Sequence, residues 1–180
     1  MKVIFLDFDG VITTPESKWN LDASKIALVE DIIKATDAKI VISSSWSVGC
    51  STGEEFKNRD LPNLKGIFAD AIYDVTDHCG SLRGDEIKRW LENHNDIESY
   101  VIIDDDSDIL EEQLFNFIQT DTYEGITSRE VKLAKSILNN EKIINPIRLN
   151  MSLKYKWRDN LEGRQTNISQ LLLDYNCRFK

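Results

Sequence analysis

Little in this 180-residue chain supports thiolate, disulfide or zinc-protease chemistry. Cys50, Cys79 and Cys177 form no close pair, so a zinc site or a disulfide framework lacks support. The only histidines, His78 and His94, make no H-E-x-x-H pattern, and each is expected at the surface or flanking a helix rather than on a metal. A G-x-x-x-x-G-K-[ST] loop is missing, which argues against a P-loop kinase or ATPase. No apolar run is long enough to span a membrane, and repeats and low-complexity tracts are absent. Acidic residues interrupt the N-terminal apolar stretch, unlike a secretory signal. Together with the dispersed thiols this predicts a reducing, cytoplasmic setting. Positive charge is also in short supply. With 22 Lys and Arg against 31 Asp and Glu the net charge is −9, a surface that repels polyanions in general.

What the chain does have is acids at the ends of apolar runs. Val3-Ile4-Phe5-Leu6 stops at Asp7-Phe8-Asp9-Gly10-Val11, which places two carboxylates at the C-terminal edge of a strand. Open α/β sheets build their sites on that edge. Gly10 allows a sharp turn there without a Cβ penalty. Tyr100-Val101-Ile102-Ile103 ends in the same way, in Asp104-Asp105-Asp106-Ser107-Asp108. Two such strands side by side would crowd several carboxylates into one crevice, where like charges repel strongly. An oxygen-only ligand set of this kind suits Mg²⁺, which commonly partners a phosphate.

Other segments supply what a phosphate needs. Lys39-Ile40-Val41-Ile42 runs into Ser43-Ser44-Ser45-Trp46, where hydroxyls and free backbone N–H groups can grip phosphate oxygens. Arg83 stands at the start of a predicted helix carrying Ile87, Trp90 and Leu91 on one face. Anions are favoured at a helix N-terminus, and an arginine there neutralises phosphate and acidic-cluster charge together.

The series Asp7-Phe8-Asp9-Gly10-Val11, Ile42-Ser43-Ser44-Ser45, Arg83 and Asp104-Asp105 with Asp108 resembles the four motifs of the haloacid dehalogenase (HAD) superfamily. Arg83 stands where a lysine is more usual. Ile42-Ser43-Ser44-Ser45-Trp46, Arg83-Gly84-Asp85-Glu86-Ile87 with Trp90-Leu91, Ile103-Asp104-Asp105-Asp106 and Gly125-Ile126-Thr127 are similar to one branch, the HAD domain of Swiss Army Knife RNA-repair proteins. The resemblance covers roughly the first 140 residues. It implies that Asp7 is the nucleophile, forming an aspartyl-phosphate, and also a metal ligand. Asp9 would act as general acid and then base, and its backbone carbonyl would face the metal. Asp105 best matches the metal ligand of the fourth motif, with Asp104 and Asp108 close behind. Ser44 best matches the phosphate-holding hydroxyl, with Ser43 the alternative, and Arg83 would stabilise the transferring phosphoryl group. Gly10, Ser43, Ser45 and Trp46 are the candidate substrate-lining residues. Trp46 is open to two readings, a base-stacking surface or a core residue.

Strands are predicted at 2–7, 39–43, 70–74, 99–103 and 114–119, and helices at 22–36, 53–60, 84–94, 107–112 and 128–139. The alternation predicts an α/β fold, a parallel sheet covered on both faces. The resemblance makes it a HAD-type, Rossmann-like three-layer sandwich. Asp22 is expected to cap the first helix, and Thr127 with Glu130 to form a capping box. Between the first motif and the second there is room for one crossover helix, and residues 47–82 allow only a modest flap. A minimal cap leaves the site open and, within the family resemblance, suits a phosphate on something large.

Two segments are expected, a catalytic domain over 1–140 and a basic extension over 141–180. The extension holds eight basic and four acidic residues, leaving 14 basic and 27 acidic residues in 1–140. Lys154-Tyr155-Lys156-Trp157-Arg158 interleaves bases with aromatics, as a nucleic-acid surface does, or docks as an amphipathic element. Ile168, Leu171, Leu172 and Tyr175 suggest a closing helix on this domain or on a second subunit, which would make a homodimer. The expected activity is Mg²⁺-dependent hydrolysis of a terminal phosphate on RNA or DNA. A small-molecule 5′(3′)-nucleotidase and a non-catalytic Mg²⁺- and nucleic-acid-binding module are the alternatives.

Overall fold

The computed structural model describes residues 1–78 and 82–141. Five strands form one all-parallel sheet: β1 (Lys2–Leu6), β2 (Lys39–Ile42), β3 (Ile72–Val75), β4 (Ser99–Asp104) and β5 (Phe117–Gln119), in the spatial order β3-β2-β1-β4-β5. Parallel strands buried on both faces are apolar throughout, as Ile40-Val41-Ile42 and Val101-Ile102-Ile103 show. The chain leaves β1 toward one side of the sheet and later returns to its other side, so β1 and β4 flank the switch point where such sheets open a crevice. Leu6 lies level with both Ile42 and Ile103, which brings the residues that follow each strand to one edge.

Alternate residues of β1 serve different layers. Ile4 and Leu6 join a large core with Ile26, Val29 and Ile32 of α1 (Ala23–Thr36) and with Val131, Ala134 and Leu138 of α5 (Ser128–Leu138). Val3 and Phe5 pack on the opposite face with Ile87 and Trp90 of α4 (Arg83–Glu92), and the Phe5 and Trp90 rings meet edge to face at 5.3 Å. The result is the three-layer α/β sandwich expected from the alternation of elements. Asp22 caps α1 through Ser24 N–H at 2.8 Å, and Thr127 and Glu130 close a capping box on α5.

Two expectations change. Residues 53–71 form α2 (Gly53–Asp60) and α3 (Ile67–Ala71), the second of which the sequence reading missed. Their Phe56 and Phe68 are fully buried around the Phe8 ring, at 5.6 and 6.4 Å. This segment extends the core layer rather than forming a flap, because an aromatic pair beneath Phe8 buries more apolar surface than a loose cover would. The short helix expected over 107–112 is a 3₁₀ helix at Glu111–Asn116, and β5 accordingly starts at Phe117. The basic extension, with Trp157, the Ile168–Tyr175 stripe and Cys177, lies outside the described residues, as does Cys79.

Candidate active site

Asp7 and Asp104 are the first residues past the paired ends of β1 and the last of β4. The Asp7 N–H donates to Ile103 O at 3.0 Å, so β1 and β4 hold the two carboxylates in register. Both are buried, at 7% and 2% exposure. Asp105 completes the group: carboxylate oxygens of Asp7, Asp104 and Asp105 lie within 4.8 Å of one another. Asp105 is steadied by Thr122 Oγ1, which donates to its Oδ2 at 2.6 Å, and by Gln119 Nε2, which donates to its backbone carbonyl at 2.9 Å.

Gly10 makes this cluster possible. Its φ is +73°, and a Cβ at that position would lie 2.3 Å from Asp105 Oδ2. A side chain here would therefore meet both backbone strain and a carboxylate.

Burial and like charge act together on the pair. Burial is the main cause that pushes Asp7 up to about 6, while the Ser44 hydroxyl and the Arg83 charge pull it back. Asp104 is held well above the usual carboxylate range by burial and by the Asp7 charge, against the pull of Arg83. Three carboxylates that cannot all ionise comfortably, with only oxygen donors, make a donor set that fits a hard divalent cation. The sequence also puts Asp9, through its backbone carbonyl, and Asp108 among the metal residues; the carboxylates of neither belong to this cluster. Asp108 Oδ2 instead accepts the Arg83 N–H at 3.0 Å, capping α4.

Arg83 is the first residue of α4, and its guanidinium reaches across the crevice. Nε stands 3.3 Å from Asp104 Oδ2, with Asp7 Oδ1 and Glu86 Oε2 each at 3.7 Å from its terminal nitrogens. These contacts are longer than charge-assisted hydrogen bonds, and buried Nε makes none among the described residues. The guanidinium thus sits between the acids as a loosely held counter-charge. Gly84 lets α4 approach this closely, since a Cβ there would lie 2.5 Å from the Leu110 nitrogen.

The serine run divides three ways. Ser44 is fully buried and caps the 3₁₀ turn Ser45–Ser47, taking the Trp46 N–H at 3.4 Å. Ser43 is buried with no partner for its hydroxyl among the described residues, and Ser45 is exposed. Asp9 stands apart from the charged cluster. Its Oδ1 accepts from Thr13 Oγ1 at 2.6 Å and its Oδ2 from Trp46 Nε1 at 3.1 Å. Trp46 is half-buried, with its ring 5.1 Å from Phe8.

A family model described as the HAD domain in Swiss Army Knife RNA repair proteins matches residues 3–131. The chain belongs to that family. No curated protein and no solved structure gave a match. The matched span of this HAD domain contains every site residue named above. Among its described residues no helix is long and apolar enough to cross a membrane.

Sequence reading missed a second layer behind Arg83. His78 is not a simple surface residue: its Nε2 lies 2.8 Å from Ser47 Oγ and its Nδ1 3.6 Å from Glu86 Oε2. Glu86, 5% exposed, is also the partner of Arg83. Ser47, His78 and Glu86 have the connectivity of a nucleophilic triad. The chemistry is excluded by access, because Ser47 is fully buried and its hydroxyl already donates to Ser44 O at 2.8 Å. The chain of contacts instead ties the Ser44 turn to the Arg83 helix. No spacing in the sequence announces it; a glutamate one turn after Arg83 was its only sign. His94, by contrast, flanks a helix as expected, stacked on Trp90 at 3.7 Å.

Proposed function

We propose that this HAD domain is a Mg²⁺-dependent phosphomonoester hydrolase that acts on the terminal phosphate of RNA or DNA through an aspartyl-phosphate. The observation that carries the reading is the buried Asp7 carboxylate set between two further acids and Arg83, whose Nε has no hydrogen-bond partner among the described residues. Asp7, Asp104 and Asp105, with the backbone carbonyl of Asp9, would hold the cation. Bound there, it supplies charge neutralisation for the carboxylates and for the phosphoryl oxygens.

An Asp7 carboxylate oxygen attacks phosphorus while the bond from phosphorus to the leaving oxygen breaks. Asp9 gives its proton to that oxygen, so the first product leaves as an alcohol. Asp9, now ionised, takes a proton from water as the water oxygen attacks phosphorus. The bond from Asp7 to phosphorus breaks, and Asp7 is regenerated with release of inorganic phosphate. Splitting one hard displacement into two compensates for the weak nucleophilicity of a carboxylate. Arg83, with Ser44 or Ser43, would hold the equatorial oxygens whose charge persists through the transition state.

The substrate class rests on the family and on openness. Among the described residues, α2 and α3 belong to the core layer, so the crevice lacks an inserted cover. An open crevice accepts a phosphate carried on a polymer end, whereas a mononucleotide would gain little from it. The basic 141–180 segment is proposed as a separate extension that offsets the acidic domain toward a polyanion. Phosphate release with Mg²⁺ from 3′- and 5′-phosphorylated oligonucleotides, mononucleotides and an aryl phosphate tests the reading. Preference for an oligonucleotide supports it, preference for mononucleotides would make the protein a nucleotidase, and no release would leave a binding module.

A further inference from the structure

We infer that Trp46 is a positioning residue for Asp9, and that it sets how poor a leaving group the enzyme can expel. The inference rests on the acid–base role given to Asp9 above. An indole N–H can only donate, so the Asp9 Oδ2 it meets at 3.1 Å must offer a lone pair. The proton of the acid form is thereby directed to Oδ1. There Thr13 suits both forms. Its hydroxyl lies 2.6 Å from Asp9 Oδ1 and 3.1 Å from Phe8 O, so it donates to the ionised carboxylate and turns to Phe8 O when Oδ1 carries the proton. The two contacts grip opposite oxygens and fix the carboxyl plane.

The grip also holds Asp9 out of the Asp7–Asp104–Asp105 cluster. Free rotation of Asp9 would turn its carboxyl out of this orientation, and Trp46 with Thr13 prevents it. The indole is itself anchored. Its ring packs on Phe8, and Arg59 of α2 donates to the carbonyls of Trp46 and Val48 at 2.5 and 2.7 Å. With its N–H engaged and its ring against the core, Trp46 serves the reaction from behind rather than stacking on a base.

The step affected is proton transfer to the leaving oxygen as its bond to phosphorus breaks. A leaving oxygen that is already a stable anion does not need that proton, and an alkoxide does. Trp46→Phe keeps the ring and removes the donor. It should lower kcat about tenfold or more on phenyl and alkyl phosphates and less than about threefold on 2,4-dinitrophenyl phosphate. In an Asp9→Asn background it should add no further loss. Equal loss on every ester, or full additivity with Asp9→Asn, would overturn the inference.

The contact has its own readout. The Trp46 indole ¹⁵N–¹H signal, assigned by its absence in Trp46→Phe, should shift in Asp9→Asn, and an unmoved signal overturns the inference. If the native protein turns over no ester at all, the phosphatase reading fails, and the leaving-group role of Trp46 falls with it. A shifted indole signal in that case would show that the failure lies in the reaction and not in the contact.

Discussion

Two aspartates separated by one residue lie in opposite environments. Asp7 is buried among the charged Asp104, Asp105 and Arg83, with the Ser44 hydroxyl beside them. Asp9 is half-buried and touched through its side chain by a neutral hydroxyl and a neutral indole. The charged corner is strained electrostatically and would be relieved by a cation; the neutral corner is satisfied as it stands. The proposed chemistry, an anionic nucleophile beside an uncharged acid, would need that separation, since one environment cannot stabilise both forms. The fold achieves it with a strand end and a turn. Asp7 stays in the sheet register beside β4, while Gly10 turns the chain and leaves Asp9 facing the β2 loop.

Removing the nucleophile should break the comparison most completely. Asp7→Asn is expected to lower kcat by at least about 10³-fold on every ester, including the most activated. Asp9→Asn should cost about 10²–10⁴-fold on alkyl phosphates but spare esters whose leaving group needs no proton. Rate profiles across a leaving-group series separate the two; parallel losses would mean the corners do not hold different roles. Arg83→Ala should follow, with a loss of about 10²–10³-fold in kcat/KM, as when a transition-state donor is removed. Arg83→Lys should recover part of that, since the charge survives and the fork does not.

The charged corner should also show itself through protons. A cation must displace whatever proton Asp7 and Asp104 retain. Burial holds Asp7 at about 6 in the absence of metal, and Asp104 is raised as well. Apparent Mg²⁺ affinity should therefore climb with pH, by about tenfold per unit for each proton displaced, and flatten once both groups are ionised. Isothermal titration between pH 5 and pH 8 checks this, and an affinity independent of pH would mean that these carboxylates are not the ligands.

How much of this was legible in the chain depends on which force positions a residue. Asp7, Asp104 and the sheet were readable because apolar runs ending in acids carry a local signal. Asp22 and the Thr127–Glu130 box were readable for the same reason. The neutral corner was not. Trp46 and Asp9 are 37 residues apart, and nothing in either neighbourhood says that an indole will point at a carboxylate. The Ser47–His78–Glu86 contacts similarly join three elements. α3 was missed because a five-residue helix has too little length to display a period. Asp108 adjoins the acidic run in sequence, but in space the start of α4 takes its carboxylate, a contact no local pattern announces.

The smallest expected effect is the most telling about cost. Asp104 is 2% exposed and raised by burial and by Asp7, with Arg83 as its one cationic neighbour among the described residues. A group whose folded pKa is raised contributes its stability below the unfolded value and loses it as pH rises through the folded one. Near the ordinary carboxylate value of 3.8 and below, Asp104→Asn should therefore match the native protein. At pH 8 without metal it should be more stable by about 1–3 kcal/mol, since a buried like charge has been removed. Saturating Mg²⁺ should reverse the order, because the native carboxylate then gains the binding free energy that the amide largely forgoes. Thermal melts of the two proteins at pH 4 and pH 8, with and without Mg²⁺, test all three statements. A metal-free Asp104→Asn protein that melts below the native one at pH 8 would mean that Arg83 already balances the cluster, and that the charged corner stores no strain for a cation to relieve.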